Sequence, residues 1–200
     1  VKVTAVCDVK ESELDEARQR LKAERAFSDF GEMIDSGAVD AVLIGTPMQF
    51  HVPQAVRALE AGVHVLSEVP AGVSIDECRA LVEAWGRSSA IYMMAENYLF
   101  SRPNTTVTEI ARAGRFGTPY YAEGEYLHEL KGLNEITTWR RRWQTGVNGV
   151  TYGTHSLGPI LLWFSGERVV EVMGAGSGHH YRDPRGDEYE NEDSCLMLCR

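Results

Sequence analysis

Tyr152 and His155 stand three residues apart where a polar stretch gives way to the apolar run Thr154 to Phe164. If both are helical they share one face, and Gly153 between them leaves space for a close ligand. Imidazole is the side chain whose ordinary pKa lies nearest neutrality, and a phenol beside a cation or cofactor can be tuned to act as a base. The alternative for His155 is a helix-start residue satisfied by a backbone carbonyl. Tyr126 carries the same two readings, since Tyr120, Tyr121 and Tyr126 could equally line a sheet core. Trp139 and Trp143 bracket Arg140, Arg141 and Arg142. The tryptophans could stack on sugar rings and the guanidinium groups could contact carboxylate or phosphate, or the group could simply anchor a loop.

Two further positions lie at the ends of apolar runs. Asp8 follows Val3 to Cys7, and an acid at such a strand end accepts hydrogen bonds from the ribose hydroxyls of a dinucleotide and repels a 2′-phosphate. That chemistry favours NAD over NADP; the plainer reading is a surface acid. Thr46-Pro47, with His51 four residues on, ends the run Asp40 to Ile44, in the crevice where open α/β sheets bind ligands. His51 reads equally as a helix-start residue with no ligand. The loop His179 to Asp193 gathers histidines and acids, but in no standard ligand spacing, and is expected to be solvated and metal-free. Gly174-Ala175-Gly176-Ser177-Gly178 imitates a phosphate loop with the wrong glycine spacing and no following helix, and is expected to be a loop.

The elements that must position these groups change character near Asn97. Before it, strands Val1 to Asp8, Asp40 to Ile44, Val63 to Leu66 and Ala90 to Met94 alternate with helices Glu11 to Ala23, Ser28 to Ser36, Val52 to Ala61 and a last one capped by Ser74 or Asp76 that runs to Trp85. This is the pattern of a doubly wound parallel sheet with strands buried on both faces. The glycine motif that accompanies an acid such as Asp8 is expected ahead of Val1, one βα unit earlier. After Asn97, a helix Pro103 to Ala113, a strand Tyr120 to His128, the polar stretch Glu129 to Val150, a helix Thr154 to Phe164 and strands Val169 to Met173 and Asp193 to Cys199 describe an α+β domain with an open, mainly antiparallel sheet, expected to continue beyond Arg200. The expected domains are 1–97, dinucleotide-binding, and 98–200, substrate and oligomer contact.

Composition narrows the partners. Twenty basic residues against 29 acidic ones give a net charge of −9, and nucleic-acid binding needs a broad basic surface that this balance does not supply. No apolar run approaches the roughly 20 residues of a membrane span. The cysteines, Cys7, Cys78, Cys195 and Cys199, form no CxxC pair. On one strand face, Cys195 and Cys199 would be too far apart to bridge. A reducing cytoplasm is the expected compartment.

Asp8, Gly45-Thr46-Pro47 with His51, the stretch Ala61 to Leu66 leading into Glu68-Val69-Pro70, and Asn97 resemble the glucose-fructose oxidoreductase / inositol dehydrogenase family. That resemblance covers nearly the whole chain and implies a Rossmann domain followed by an α/β sugar-binding domain whose sheet face often makes a homo-oligomer contact. It implies NAD, held by Asp8, Thr46, Pro47, His51, Glu68 and Asn97. Where the dehydrogenases usually carry lysine, this sequence has Val69, which cannot relay a proton. Glu68-Val69-Pro70-Ala71, Met93 to Asn97, Gly124 to His128, Trp139-Arg140 and Tyr152 to Pro159 are similar to one branch, the NAD-dependent α-N-acetylgalactosaminidases. By that likeness Glu96, Tyr126, Tyr152 and His155 are catalytic, while His128, Trp139, Arg140 and Trp143 are expected to bind substrate. Gly153 stands where the branch usually has proline.

The resemblance implies a redox-assisted glycosidase. A ring hydroxyl carbon of the sugar is oxidised, the neighbouring C–H is thereby acidified, Tyr126 or His155 removes that proton, the aglycone leaves, water adds and the carbonyl is reduced again. The alternatives are an NAD-dependent sugar or polyol dehydrogenase with His155 as acid/base, and a catalytically silent NAD-binding regulatory protein.

Overall fold

The computed structural model describes residues 1–137, 139–140, 150, 152–164, 166–182, 186 and 189–200. The chain divides into two compact units, Val1–Ala95 and Glu96–Arg200.

In the first unit, strands β1 (Ala5–Cys7), β2 (Arg25–Phe27), β3 (Ala41–Ile44), β4 (His64–Ser67) and β5 (Tyr92–Met94) alternate with helices α1 (Glu11–Leu21), α2 (Phe30–Asp35), α3 (His51–Glu60) and α4 (Ile75–Arg87). Every strand pair is parallel, in two sheets ordered β1-β2 and β3-β4-β5. This is the expected doubly wound α/β pattern, with β2 added between the first two helices. That strand is only three residues long and opens on Arg25, so it offers little apolar pattern to read.

Local chemistry sets the helix starts. Asp29 accepts the Glu32 N–H at 2.8 Å to begin α2. Ser74 accepts the Glu77 N–H while the Glu77 carboxylate reaches back to the Val73 N–H at 2.8 Å, an exchange that satisfies two otherwise orphaned donors at the head of α4. Val42, Ile44 and Val65 from the sheet meet Val52, Ala55 and Leu59 of α3 and Leu81 and Ala84 of α4 in the core. The strands are not covered on both faces as expected: in β3, Val42 and Ile44 are buried but Leu43 is 68% exposed. Among the described residues only one face of that strand is packed.

The second unit opens with a 3-10 turn (Asn97–Phe100), followed by α5 (Arg102–Arg112), the short α6 (Lys131–Ile136) and α7 (Thr154–Trp163), then the antiparallel pair β6 (Val172–Gly176) and β7 (Cys195–Cys199). Helices α5 and α7 pack together, and the Trp163 indole N–H donates to Thr108 Oγ1 at 3.2 Å. Three features of this unit differ from what its sequence suggests. Tyr120 to His128 forms no hydrogen-bonded strand, and Tyr120 and Tyr121 are exposed, at 93% and 66%, so they line no core. The polar stretch after Glu129 holds a helical turn, α6, too short to show periodicity. Gly174 to Gly176 is strand, not loop, because its backbone pairs with Cys195 to Met197, and backbone pairing does not depend on side chains. Cys195 and Cys199 both lie in β7.

Candidate active site

Glu96, His155, Tyr126 and Tyr152 come together in the second unit. Glu96 heads the 3-10 turn with its carboxylate Oε1 accepting the Tyr98 N–H at 3.0 Å. The same oxygen faces His155 Nδ1 at 2.7 Å, and the two residues are 3% and 7% exposed. A carboxylate only accepts, so the bond assigns a proton to Nδ1, and in the neutral imidazole the lone pair then lies on Nε2. The second oxygen, Oε2, is buried without a hydrogen-bond partner among the described residues. Such an acceptor is costly unless a ligand hydroxyl satisfies it.

Aromatic rings enclose the imidazole. Tyr98 stacks on it at 4.5 Å between centroids with planes 28° apart, Tyr126 lies at 4.8 Å, and Tyr152 meets it edge-on at 5.1 Å. Tyr126 Oη and His128 Nδ1 are 3.1 Å apart. Burial first, then the neighbouring Tyr152 and Tyr98, push the Tyr126 phenol above its ordinary range, while the Arg140 charge pulls it down. Tyr126 therefore rests as a neutral phenol. Arg140 acts electrostatically on both Tyr152 and Tyr126, is itself lowered by burial, and places its guanidinium 4.3 Å over the Trp139 ring.

Close approach makes this cluster. A Cβ on Gly124 would lie 2.7 Å from the Ser156 carbonyl oxygen, and one on Gly158 would lie 3.0 Å from Glu96 Cγ. The segment carrying Tyr126 and the turn carrying Glu96 thus reach α7 only because these positions lack side chains. Gly153 has a different role from the expected one: Met197 Cε and Val150 Cγ1 stand 3.1 and 3.2 Å from where its Cβ would be. The space is filled by the protein's own side chains. Tyr98 was not singled out by sequence; its place two residues after Glu96 is the only trace it leaves there.

The positions expected to hold a dinucleotide lie mainly in the first unit. Asp8 follows β1 with Oδ1 accepting the Lys10 N–H at 2.8 Å, which orients the carboxylate at the carboxyl end of the strand. Thr46 Oγ1 donates to Gln54 Oε1 at 2.7 Å, and Pro47 precedes a 3-10 turn. A Cβ on Gly45 would meet nothing nearer than Leu43 Cδ2 at 3.8 Å, so the end of β3 is open to a ligand. An oriented acid and an open strand end fit the ribose side of NAD. His51 is placed otherwise: it is 1% exposed, with Nδ1 2.9 Å from the Pro70 carbonyl and Nε2 2.8 Å from the Thr46 carbonyl. Both ring nitrogens are engaged by backbone, so His51 ties the loop after β3 to the turn after β4 and supports any ligand contact indirectly. Glu68 is exposed beside buried Val69, and Asn97 is exposed in the turn that follows Glu96.

Trp143, Arg141 and Arg142 lie outside the described residues, as do Asp183, Asp187 and Glu188 of the acidic loop. In the described part of that loop, His179 and His180 face the carbonyls of Glu190 and Ser177, and Asp193 Oδ2 accepts the Tyr181 N–H at 2.9 Å. No group of three potential metal ligands occurs among the described residues.

Residues 1–96 match the model of the oxidoreductase family with an NAD-binding Rossmann fold. Residues 1–96 belong to this family. Among curated relatives of this oxidoreductase-family chain, a glycosyl hydrolase family 109 protein of Saccharopolyspora erythraea is 32% identical over 216 aligned positions, covering 96% of this chain and 47% of the relative. An alpha-N-acetylgalactosaminidase of Shewanella oneidensis is 31% identical over 179 positions, covering 82% of this chain and 39% of the relative. The chain thus spans less than half the length of these relatives. The WlbA dehydrogenase from Bordetella pertussis, solved with NADH and UDP-GlcNAcA, superposes with a TM-score of 0.82 at 23% identity over 100% of this chain and 56% of its own. Levoglucosan dehydrogenase, solved with NADH and levoglucosan, gives 0.80 at 22% identity over 100% of this chain and 54% of its own. These two likenesses establish the shared fold.

Proposed function

We propose that this oxidoreductase-family protein is an NAD-dependent glycoside hydrolase that oxidises, eliminates, hydrates and re-reduces its sugar. The observation that carries the reading is the enclosed group of Glu96, His155, Tyr126 and Tyr152: a buried acid–histidine pair with two phenols packed against the one imidazole. A dehydrogenase needs to move one proton with one hydride. Elimination and hydration require more, and Val69 at the turn after β4 supplies no lysine for the simple reaction.

Bound NAD supplies reversible hydride transfer. The chain's own residues do the rest. Glu96 keeps His155 in the tautomer whose Nε2 accepts a proton from the sugar hydroxyl being oxidised, and its Oε2, without a partner among the described residues, offers an acceptor to a further hydroxyl. Tyr126 takes the proton from the carbon next to the new carbonyl. Tyr152, beside Arg140, gives a proton to the departing oxygen and later receives one from the water that adds. Trp139 and Arg140 flank the sugar, joined by His128 and, outside the described residues, Trp143.

Three finer features belong to the same proposal. Asp8 selects NAD over NADP by repelling a 2′-phosphate. The outer face of the β6–β7 pair, where Met173, Leu198 and Leu196 are 57%, 60% and 78% exposed, joins copies of the chain into an oligomer. The thiols of Cys7, Cys78, Cys195 and Cys199 suit a reducing cytoplasm; among the described residues no helix is long and apolar enough to cross a membrane.

An aryl α-N-acetylgalactosaminide, chosen from the name of the Shewanella relative, is the test substrate. Release of the aryl alcohol that requires NAD yet leaves no net reduced cofactor supports the hydrolase. Untouched aryl glycoside together with stoichiometric reduced cofactor from free sugar would instead establish a dehydrogenase.

A further inference from the structure

The Tyr126 phenol faces a difficulty as a base, because its surroundings keep it protonated. Tyr98, Tyr152 and His155 pack against it, and Arg140 is the charged group acting on it. Arginine never accepts a proton at working pH, Tyr98 and Tyr152 offer only phenols like that of Tyr126, and His155, its Nδ1 committed to Glu96, uses Nε2 for the sugar hydroxyl in the proposed reaction. Among the described residues the remaining neighbour is His128, two residues along the same segment, an exposed residue with Nδ1 3.1 Å from Tyr126 Oη.

We propose that His128 receives the Tyr126 proton, so that phenol and imidazole act as one base. This rests on the hydrolase reading. As the C–H bond next to the sugar carbonyl breaks, its proton passes to Tyr126 Oη while the phenol O–H proton moves to His128 Nδ1. The electron pair of the C–H bond forms the new C=C as the aglycone leaves. His128 becomes an imidazolium, and water receives its proton. A stepwise transfer would leave a free phenolate, which the burial of Tyr126 disfavours. The coupled transfer avoids that state. His128 is thus a positioning and relay residue that acts through Tyr126, beyond the substrate contact expected of it.

His128→Asn retains an acceptor near the Nδ1 position but takes no proton. In the full chain it is expected to lower kcat for aryl glycoside about 100-fold, with KM changed less than threefold, and to abolish the acid limb of the kcat profile. The first appearance of reduced nicotinamide absorbance should slow far less than aryl alcohol release. A second measurement needs neither turnover nor cofactor: 15N NMR of the wild-type chain should show His128 with Nδ1 unprotonated, and Tyr126→Phe should move its titration. Wild-type kcat with an intact acid limb in His128→Asn, or an Nδ1-protonated His128, overturns the relay alone. Wild-type protein that cleaves no glycoside with NAD overturns the hydrolase reading and the relay with it.

Discussion

Glu96 and His155 are 59 positions apart in the chain and 2.7 Å apart in space, and the site depends on that one contact. Glu96→Gln keeps the shape but replaces a carboxylate with an amide, so His155 loses its charged partner; kcat is expected to fall about 10–100-fold with the fold retained. Glu96→Ala also orphans the buried Nδ1–H and should cost about 1–3 kcal/mol in urea denaturation. Tyr126 adds a pH prediction. Its folded pKa is raised, so the neutral phenol is the form the fold favours, and that stabilisation is complete below the unfolded value of about 10 and lost as pH climbs through the folded one. The ultraviolet tyrosinate titration of Tyr126, taken as wild type minus Tyr126→Phe, should therefore have its midpoint above 10. His155 was legible from its place at the head of an apolar helix, whereas Tyr152 precedes that helix, which begins at Thr154, so the shared helical face expected from their spacing does not form. Tyr98 was not, because a ring that stacks on a histidine 57 positions away leaves no local pattern.

At the scale of elements, helix starts and parallel strands could be read because capping and apolar runs are local: Ser74 begins α4 and Val42 and Ile44 are buried in β3, as their types require. What could not be read was set by pairing and exposure. Gly174 to Gly176 becomes strand only through β7, and β3 keeps Leu43 exposed although its sequence is as apolar as a fully covered strand. His51 shows the same limit, since its position after Thr46-Pro47 suits a ligand contact and its two backbone bonds give it a bracing role instead. Glycine placement yields the sharpest prediction. Gly124→Ala would set a Cβ 2.7 Å from a backbone oxygen of α7, and backbone cannot swing aside as a side chain can. It should cost about 1–3 kcal/mol and displace Tyr126, seen as a lower Tm and a larger loss in kcat than in stability. Ser74→Ala, remote from the site, should cost about 1 kcal/mol and leave kcat unchanged.

Across the whole molecule, the two compact units divide the work in the proposed reaction, with Asp8 and the end of β3 serving the dinucleotide and the Glu96–His155 cluster serving the sugar. The apolar outer face of β6–β7 predicts assembly: Leu196→Lys with Leu198→Glu should shift the chain toward monomer in sedimentation, and an unchanged mass would place the contact elsewhere. The central claim is that the glycosidic bond breaks by elimination next to a transient carbonyl, and hydrolysis in D2O tests it most directly. Elimination followed by hydration predicts that the released sugar carries deuterium on the ring carbon adjacent to the oxidised one. Released sugar with only hydrogen at that carbon, under full turnover, would contradict it.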